Sequence, residues 1–227
     1  MEALLNFLLS GRHVACLVGG GGKTTLLYEL AGKLAQQGRR VVVLTSTHIL
    51  QPEKEIFAHN AKEARHLWGQ SAFAVIGTPE AATGKLTGPA PELYSALAPL
   101  ADVVLCEADG AKHLPAKVPA AHEPVILPAC DIVVAVCGLD ALGKPLAQAV
   151  FRAPLAAQLL NTHEKALLTA AQLAHILTSA QGARKNVGKR EYFVVLNKCD
   201  LVNPAQVEEV REAVLKRGIP VNRVLMR

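Results

Sequence analysis

The chain has 227 residues, of which 51% are hydrophobic and only 4% aromatic, and it carries a formal net charge of +5. This length suits one large α/β domain, and the aliphatic composition suits a sheet buried on both faces, which excludes a disordered or fibrous chain. The charged clusters lack the interleaved aromatic residues that stack nucleic-acid bases, so we expect no nucleic-acid partner.

Residues 3–9 form an apolar segment near the N-terminus, but Glu2 precedes them and a glycine loop follows closely, which argues against a removable signal peptide. No apolar run approaches the roughly 20 residues that a membrane-spanning helix needs. The five cysteines lack C-x-x-C spacing and fall mostly in apolar runs, as buried thiols in a reducing compartment do. We therefore expect a cytoplasmic protein without membrane contact.

Short apolar runs alternate with helical patterns along the chain. We predict strands at residues 13–18, 40–44, 72–76, 102–106, 132–136, 192–196 and 222–225. We predict helices at residues 23–37, 61–68, 92–97, 147–160, 170–180 and 204–217. This alternation predicts a doubly wound, mostly parallel sheet in a three-layer α/β/α arrangement like that of P-loop NTPases. Residues 1–227 are expected to form one domain, with a small excursion at residues 77–91 that is rich in Gly, Pro and Thr.

The first motif, V-G-G-G-G-K-T-T at residues 18–25, links the first predicted strand to the first predicted helix. The glycine loop, residues 19–22, allows the backbone dihedrals that point successive N–H groups at a phosphate. The helix that begins near Lys23 aims its positive end at the same anion. Lys23 is expected to bridge phosphate oxygens, and the Thr24 hydroxyl is expected to ligate magnesium.

The glycine loop departs from the full pattern G-x-x-x-x-G-K-[ST] at the first position, where the chain has Leu17. Four glycines remain, so the phosphate-binding mechanism is kept. A flexible turn between a strand and a helix is the alternative interpretation of the same residues.

The second motif, N-K-C-D at residues 197–200, follows another apolar strand. Asp200 could accept hydrogen bonds from N1–H and the 2-amino group of guanine, a pair of donors that adenine lacks. Asn197 and Lys198 would brace the loop and the face of the base, at the sheet edge where open α/β sheets bind ligands. A solvated turn after a buried strand would also explain the motif, which favours guanine without excluding adenine.

A third motif, E-A-D-G at residues 107–110, ends a further apolar strand. Glu107 and Asp109 could hold magnesium or orient an attacking water, and Glu-x-x-Gly has the spacing of the γ-phosphate-sensing Asp-x-x-Gly element. Two acids that simply close a strand at the surface are the alternative. Thr47, within T-S-T-H at residues 45–48, is a candidate second metal ligand, although an ordinary polar strand end explains it equally well.

The segment from residue 110 to residue 128, the 110–128 loop, has four prolines and no regular period. Long irregular loops in compact domains are often functional, so this one could position a second substrate or a partner. A proline-stiffened surface connection explains it equally well. Arg152, in the context F-R-A-P, could face a phosphate or simply begin a helix. The polar candidates in this group are Lys112, His113, Lys117, His122, Glu123 and Arg152.

Several blocks in this order resemble the YqeC family of accessory proteins for selenium-dependent molybdenum hydroxylases. The blocks are G-G-G-G-K-T-T, T-S-T-H, E-A-D-G-A-K, L-P-A-K-V-P-A-A-H-E-P-V-I and N-K-C-D. The resemblance runs from the glycine loop nearly to the C-terminus, and the E-A-D-G and H-E-P blocks are its most specific part. It implies a P-loop nucleotide-binding fold and a part in maturing a selenium-containing cofactor, with a hydroxylase or a cofactor-assembly protein as client.

We predict a magnesium-dependent nucleotide-binding protein that hydrolyses GTP slowly, with ATP as the alternative nucleotide. No obvious glutamine or arginine finger is present for fast hydrolysis. A kinase or ligase acting on a small molecule, a metallochaperone-like GTPase and a nucleotide-gated scaffold remain alternatives, although the chain lacks the C-x-C or C-x-x-C site of metallochaperones. The catalytic candidates are Lys23, Glu107 and Asp109. The nucleotide-binding candidates are Gly19, Gly20, Gly21, Gly22, Lys23, Thr24, Thr25, Asn197, Lys198 and Asp200. The metal candidates are Thr24, Thr47, Glu107 and Asp109.

Overall fold

The structure is a computed structural model that describes residues 2–223, with the backbone alone for Arg223. Its strands are β1 His13–Gly19, β2 Val41–Thr45, β3 Ile49–Leu50, β4 Ala74–Val75, β5 Thr78–Glu80, β6 Lys85–Thr87, β7 Val103–Glu107, β8 Ala116–Lys117, β9 Ile132–Gly138, β10 Val150–Phe151, β11 Glu191–Asn197 and β12 Val221–Arg223. Its α-helices are α1 Glu2–Leu9, α2 Lys23–Gln36, α3 Ala61–Gly69, α4 Pro91–Leu97, α5 Leu146–Ala149, α6 Ala153–Leu159, α7 Ala170–Thr178 and α8 Pro204–Leu215.

The central sheet has seven strands in the order β12-β11-β9-β1-β7-β2-β4, and every neighbouring pair is parallel. Two separate apolar clusters cover its two faces. Successive residues of β2 alternate between them, since Val41 and Val43 belong to one cluster and Val42 and Leu44 to the other. Burial on both faces explains the continuous apolar strands. The predicted three-layer α/β/α architecture is confirmed.

The strand order reverses at β1, which places a topological switch point beside the glycine loop. From β1 the chain passes to β2 and β7 on one side of the sheet and later to β9 and β11 on the other. Open α/β sheets bind ligands at the carboxyl ends of the strands around such a point. The register brings the motifs to this edge, because Leu17 pairs with Glu107 and Asn197 pairs with Gly138.

The single helix predicted at residues 147–160 is wrong. The structure has two short helices, α5 and α6, with strand β10 between them and a left-handed backbone at Arg152, φ 69°. The physical reason is a long-range pairing: β10 runs parallel to β8, which belongs to the 110–128 loop. A local helical pattern carries no information about that partner.

Other differences lie at the margins of the sheet. Helix α1 was not predicted, yet it buries Leu4 and Leu8 on the side of α2. Residues 77–91 contain the hairpin of β5 and β6, which β3 extends to a three-stranded antiparallel sheet. The last strand was predicted at residues 222–225, of which residues 224 and 225 lie outside the described part. Across residues 2–223, no helix has both the length and the apolar character needed to cross a membrane.

Candidate functional site

The first turn of α2 presents backbone N–H groups at the carboxyl edge of the sheet. The first hydrogen bond of the helix runs from the Leu26 N–H to the Gly22 carbonyl, 3.0 Å. Within the described chain, the four preceding N–H groups, at residues 22–25, find no acceptor in the protein. Unpaired donors and the positive end of the helix dipole together favour an anion at this point.

Three amides of the glycine loop already have protein partners. The Gly19 N–H donates to the Asp109 carboxylate, 3.2 Å to each oxygen. The Gly20 N–H donates to Val136 O at 2.9 Å, and the Gly21 N–H donates to Leu114 O at 3.0 Å. The amides available to an anion in this structure therefore begin at residue 22, the last residue of the nest that the sequence predicts at residues 19–22.

Lys23 is buried and its ammonium is surrounded by oxygen atoms. Its Nζ lies 2.6 Å from the Gly19 carbonyl oxygen, 3.2 Å from Asp109 Oδ1 and 3.8 Å from Glu107 Oε1. The lysine thus lies between the glycine loop and both acids of the E-A-D-G motif. A phosphate bound at the first turn of α2 would compete with these carboxylates for the same ammonium.

Thr24 and Glu107 meet directly. The Thr24 hydroxyl donates to Glu107 Oε2 at 2.6 Å, which joins the start of α2 to the end of β7. Burial raises the pKa of Glu107 above its ordinary value, although the charge of Lys23 and the Thr24 hydrogen bond act in the opposite direction. A hydroxyl and a carboxylate are hard oxygen ligands, and Mg²⁺ commonly takes one or two protein oxygens alongside phosphate and water. The pair therefore fits magnesium.

Thr45 was not predicted as part of the site, but it links Thr47 to Glu107. Its hydroxyl donates to the backbone carbonyl of Glu107 at 2.9 Å, accepts from the Thr47 N–H at 3.0 Å and lies 3.3 Å from Thr47 Oγ1. Thr45 is fully buried. The signal was present in the sequence, because Thr45 ends an apolar strand next to the strand of Glu107. In the described part of the chain Thr47 forms no hydrogen bond with Thr24, so its metal role stays a prediction.

The N-K-C-D motif contacts the glycine loop through its asparagine. The buried Asn197 side chain donates through Nδ2 to Gly21 O at 2.8 Å. Lys198 pairs with Asp140 at 3.1 Å, a residue that sequence reasoning missed and that follows the end of β9. Asp200 is exposed in the 3₁₀ turn after β11. The motif therefore lies beside the phosphate-binding candidates, as a segment that recognises the base of a nucleotide would have to.

Asp109 is the centre of a buried ionic network. Besides Lys23, it pairs with Lys117 at 3.1 Å. Lys117 in turn pairs with Glu123 at 3.0 Å, and Glu123 pairs with Arg152 at 3.0 Å. Burial alone would raise the pKa of Glu123, but the hydrogen bond from Ala120 N–H and the two cations lower it overall. The network connects the glycine loop to the 110–128 loop and the start of α6.

The 110–128 loop packs against the glycine loop. Its Leu114 carbonyl accepts from Gly21, and its Pro115 carbonyl accepts from the Gly138 N–H at 2.8 Å. A side chain on Gly21 would overlap the Gly138 backbone, so only glycine fits this close approach. On the far side, Lys185 donates to the carbonyl oxygen of Ala121 at 2.9 Å. The loop is therefore held between two segments of the domain.

The remaining candidates lie outside this network. Lys112 is exposed and contacts the ring of Phe151. His113 and His122 are exposed, and in the part of the chain that the structure describes neither ring makes a hydrogen bond or an ion pair. The site that the structure brings together thus contains Lys23, Thr24, Glu107, Asp109 and Asn197, with Lys117, Glu123 and Arg152 behind it.

The fold and this edge define an α/β protein with a parallel sheet and a glycine loop that leads into a buried lysine. Comparison with known proteins identifies the family of this chain. The model of the family described as YqeC protein matches residues 15–154. The chain is also 33% identical over 215 residues to an Escherichia coli (strain K12) protein named "Uncharacterized protein YqeC", covering 87% of this chain and 84% of that protein. The chain belongs to the YqeC family.

Proposed function

We propose that this protein binds a nucleoside triphosphate with magnesium and hydrolyses it slowly, with GTP as the preferred nucleotide. The observation that carries the proposal is the convergence of three groups at the start of α2. The unpaired amides of residues 22–25, the buried ammonium of Lys23 and the Thr24–Glu107 pair lie together at the carboxyl edge of the sheet. Each suits a different part of a magnesium–phosphate group.

In this proposal the amides and Lys23 bind phosphate oxygens. Thr24 and Glu107 hold magnesium, which neutralises the charge that develops on the transferred phosphoryl group. The support for a preference for guanine is that Asn197, in the same N-K-C-D motif as Asp200, donates to Gly21 O of the glycine loop. Slow turnover is expected because the nearest arginine in the ionic network, Arg152, is paired with Glu123.

The test is calorimetric titration of GTP, ATP and XTP, each with magnesium, into wild type, Lys23→Ala and Asp200→Asn. We expect GTP binding in wild type, loss of binding in Lys23→Ala and a shift of preference toward XTP in Asp200→Asn. Lys33→Ala is the matched control, since Lys33 is an exposed lysine on the same helix that pairs with Glu29. A preference for ATP, or indifference to Asp200→Asn, would remove the guanine assignment.

A second candidate is a kinase or ligase that transfers the phosphoryl group to a small molecule. The observation that favours it is the direct packing of the 110–128 loop on the glycine loop, through the Leu114 and Pro115 carbonyls. Such a loop is suited to hold an acceptor beside the terminal phosphate. Product analysis separates the two candidates, because phosphate found on an acceptor supports transfer and free phosphate alone supports hydrolysis.

We further propose that the client is a selenium-dependent molybdenum hydroxylase or a protein that assembles its cofactor. The support is the resemblance of the sequence blocks to that family. Co-purification of a tagged chain with a hydroxylase, in the presence of GTP and again with Glu107→Gln, tests it. Binding that needs nucleotide but survives Glu107→Gln would favour a nucleotide-gated scaffold in which hydrolysis is incidental.

A further inference from the structure

Phe151 is the meeting point of three cations from two separate segments of the chain. Lys112 Nζ lies 5.7 Å, Lys117 Nζ 5.6 Å and Arg152 Cζ 4.8 Å from the centre of its ring. These are distances at which a cation is attracted to the face of an aromatic ring. The parallel pairing of β8 with β10 sets Lys117 opposite Phe151 and so brings the two segments together.

The three cations differ in how far they are neutralised. Lys117 is almost completely buried and pairs with Asp109 and Glu123. Among the described residues Arg152 pairs with Glu123 alone, through Nε and Nη2, and its side chain is 29% exposed. Lys112 is exposed and, among residues 2–223, forms no ion pair. The accessible part of the cluster therefore carries excess positive charge.

The backbone holds these cations in fixed positions. Lys112, His113 and Arg152 adopt left-handed conformations, with φ values of 47°, 63° and 69°. Residues with side chains adopt this region at a cost, and they keep it where the surrounding contacts determine the backbone. The hydrogen bond from Leu114 N–H to Ala111 O closes the turn that contains Lys112 and His113. Lys112 is thus carried by a hydrogen-bonded turn, and Arg152 by the residue position that caps α6.

The cluster lies next to the phosphate-binding candidates. Asp109 contacts Lys23 through Oδ1 at 3.2 Å and Lys117 through Oδ2 at 3.1 Å. A single carboxylate therefore separates the lysine of the glycine loop from the cations around Phe151. This link runs through Lys117, which contacts the same Phe151 ring as Lys112 and Arg152.

We propose that Lys112 and Arg152 form a second anion site, for a small molecule that presents a phosphate or a carboxylate group. Arg152 offers planar N–H donors that Glu123 orients, and Lys112 offers a rotatable ammonium, a combination that suits the several oxygens of such a group. The site deepens the proposed function, because it is where the acceptor or cargo would bind. Its role as a second substrate site rests on that function, but its binding of an anion does not.

The test is calorimetric titration of inorganic phosphate and of succinate, at low ionic strength, into the full chain. One arm uses wild type saturated with magnesium and a non-hydrolysable GTP analogue. The other uses Lys23→Ala without nucleotide, in which the glycine loop lacks its lysine. We expect saturable binding in both arms, weakened about tenfold or more by Lys112→Ala or Arg152→Gln. Lys165→Ala, at an exposed lysine on the turn before α7, should leave binding unchanged.

The outcomes distinguish a phosphate ligand from a carboxylate ligand. They also distinguish failure of this site from failure of the proposed function. Binding of phosphate alone identifies a phosphate-bearing ligand, and binding of succinate alone identifies a carboxylate; binding of either or of both supports the site. Binding that is lost in Lys23→Ala but unchanged in Lys112→Ala overturns it, because the anion then occupies the glycine loop. Failure of both probes to saturate also overturns it. If wild type binds no GTP, the proposed function fails, while the Lys23→Ala arm still tests this site.

Discussion

The Thr24 hydroxyl donates a 2.6 Å hydrogen bond to Glu107 Oε2, and this contact joins the helix after the glycine loop to the strand that carries the E-A-D-G motif. The two residues are far apart in the sequence, and the parallel pairing of β1 with β7 brings them together. A bound magnesium ion would exchange this hydrogen bond for two metal–oxygen contacts. The pair is therefore the most direct point at which to test the role of magnesium.

We expect Thr24→Ala to weaken GTP binding about tenfold or more in the presence of magnesium, because it removes one of the two proposed protein ligands of the ion. In the presence of a chelator, the affinity should match that of wild type under the same condition. Calorimetry with and without magnesium measures both. Thr83→Ala is the control, since Thr83 is an exposed threonine in the hairpin of β5 and β6, outside the site. Equal losses in the two variants would contradict a magnesium role for Thr24.

The raised pKa of Glu107 predicts how magnesium binding depends on pH. Because burial holds this pKa above its ordinary value of 4.5, the carboxylate takes up a proton at a higher pH than an exposed glutamate does. Protonation removes its value as a metal ligand, so magnesium-dependent GTP affinity should fall as the pH is lowered through the raised pKa. The Glu107→Gln variant should bind more weakly and lose this step. An identical pH profile in the variant would contradict the assignment.

The same shift predicts the opposite trend for the stability of the protein without ligand. Between pH 4.5 and the raised pKa, the folded state holds the Glu107 proton and the unfolded state has released it. The free energy of unfolding should therefore fall as the pH rises through this window. Urea denaturation of wild type and Glu107→Gln at several pH values measures the difference between their free energies of unfolding. As the pH rises through the window, this difference should change in favour of the variant. A difference that stays constant across the window would show that Glu107 ionises normally.

Two glycines near each other in the chain should respond in opposite ways to alanine. A Cβ on Gly21, φ 71°, would overlap the backbone of Gly138, so Gly21→Ala should lower the free energy of unfolding by about 2 kcal/mol or more. Gly32 lies inside α2 with nothing within 4 Å of an added Cβ, so Gly32→Ala should raise it by about 0.5–1 kcal/mol. Chemical denaturation measures both. A tolerated Gly21→Ala would contradict the close packing of the glycine loop.

The sheet could be predicted because each strand is an apolar run set between helical patterns, and such runs fit only a sheet covered on both faces. The glycine loop and the ends of β7 and β11 could also be predicted, since strand ends converge at one edge. What the sequence could not show is pairing between distant loops. The pairing of β8 with β10 explains why the helix predicted at residues 147–160 is interrupted before Arg152, and it determines which residues surround Phe151.

The pairing between charged residues of the site could not be predicted from the sequence either. Lys117, Glu123 and Arg152 were candidates because they are polar residues in or near an irregular loop, a pattern that equally fits solvated side chains. The structure buries Lys117 and Glu123 and joins them to Asp109. Asp140 gave no signal, because its partner Lys198 lies in another part of the chain. Charge pairing depends on the fold, so it becomes visible only once the strands are in register.

Lys117 should be the cation on which the stability of this network depends. Its side chain is 1% exposed and lies 3.1 Å from Asp109 Oδ2 and 3.0 Å from Glu123 Oε1. Lys117→Met keeps a similar volume but leaves two buried carboxylates with one cation fewer. Removing one partner of a buried ion pair typically costs about 3–5 kcal/mol. We expect a loss of that size in the free energy of unfolding at pH 7.

The matched control is Lys112→Met, which removes an exposed lysine that contacts the same Phe151 ring without an ion pair among the described residues. Its cost should stay within about 0.5 kcal/mol, as for most surface substitutions. Urea denaturation of both variants at pH 7 measures the two losses. Equal losses would show that the stability of the network does not depend on the charge of Lys117.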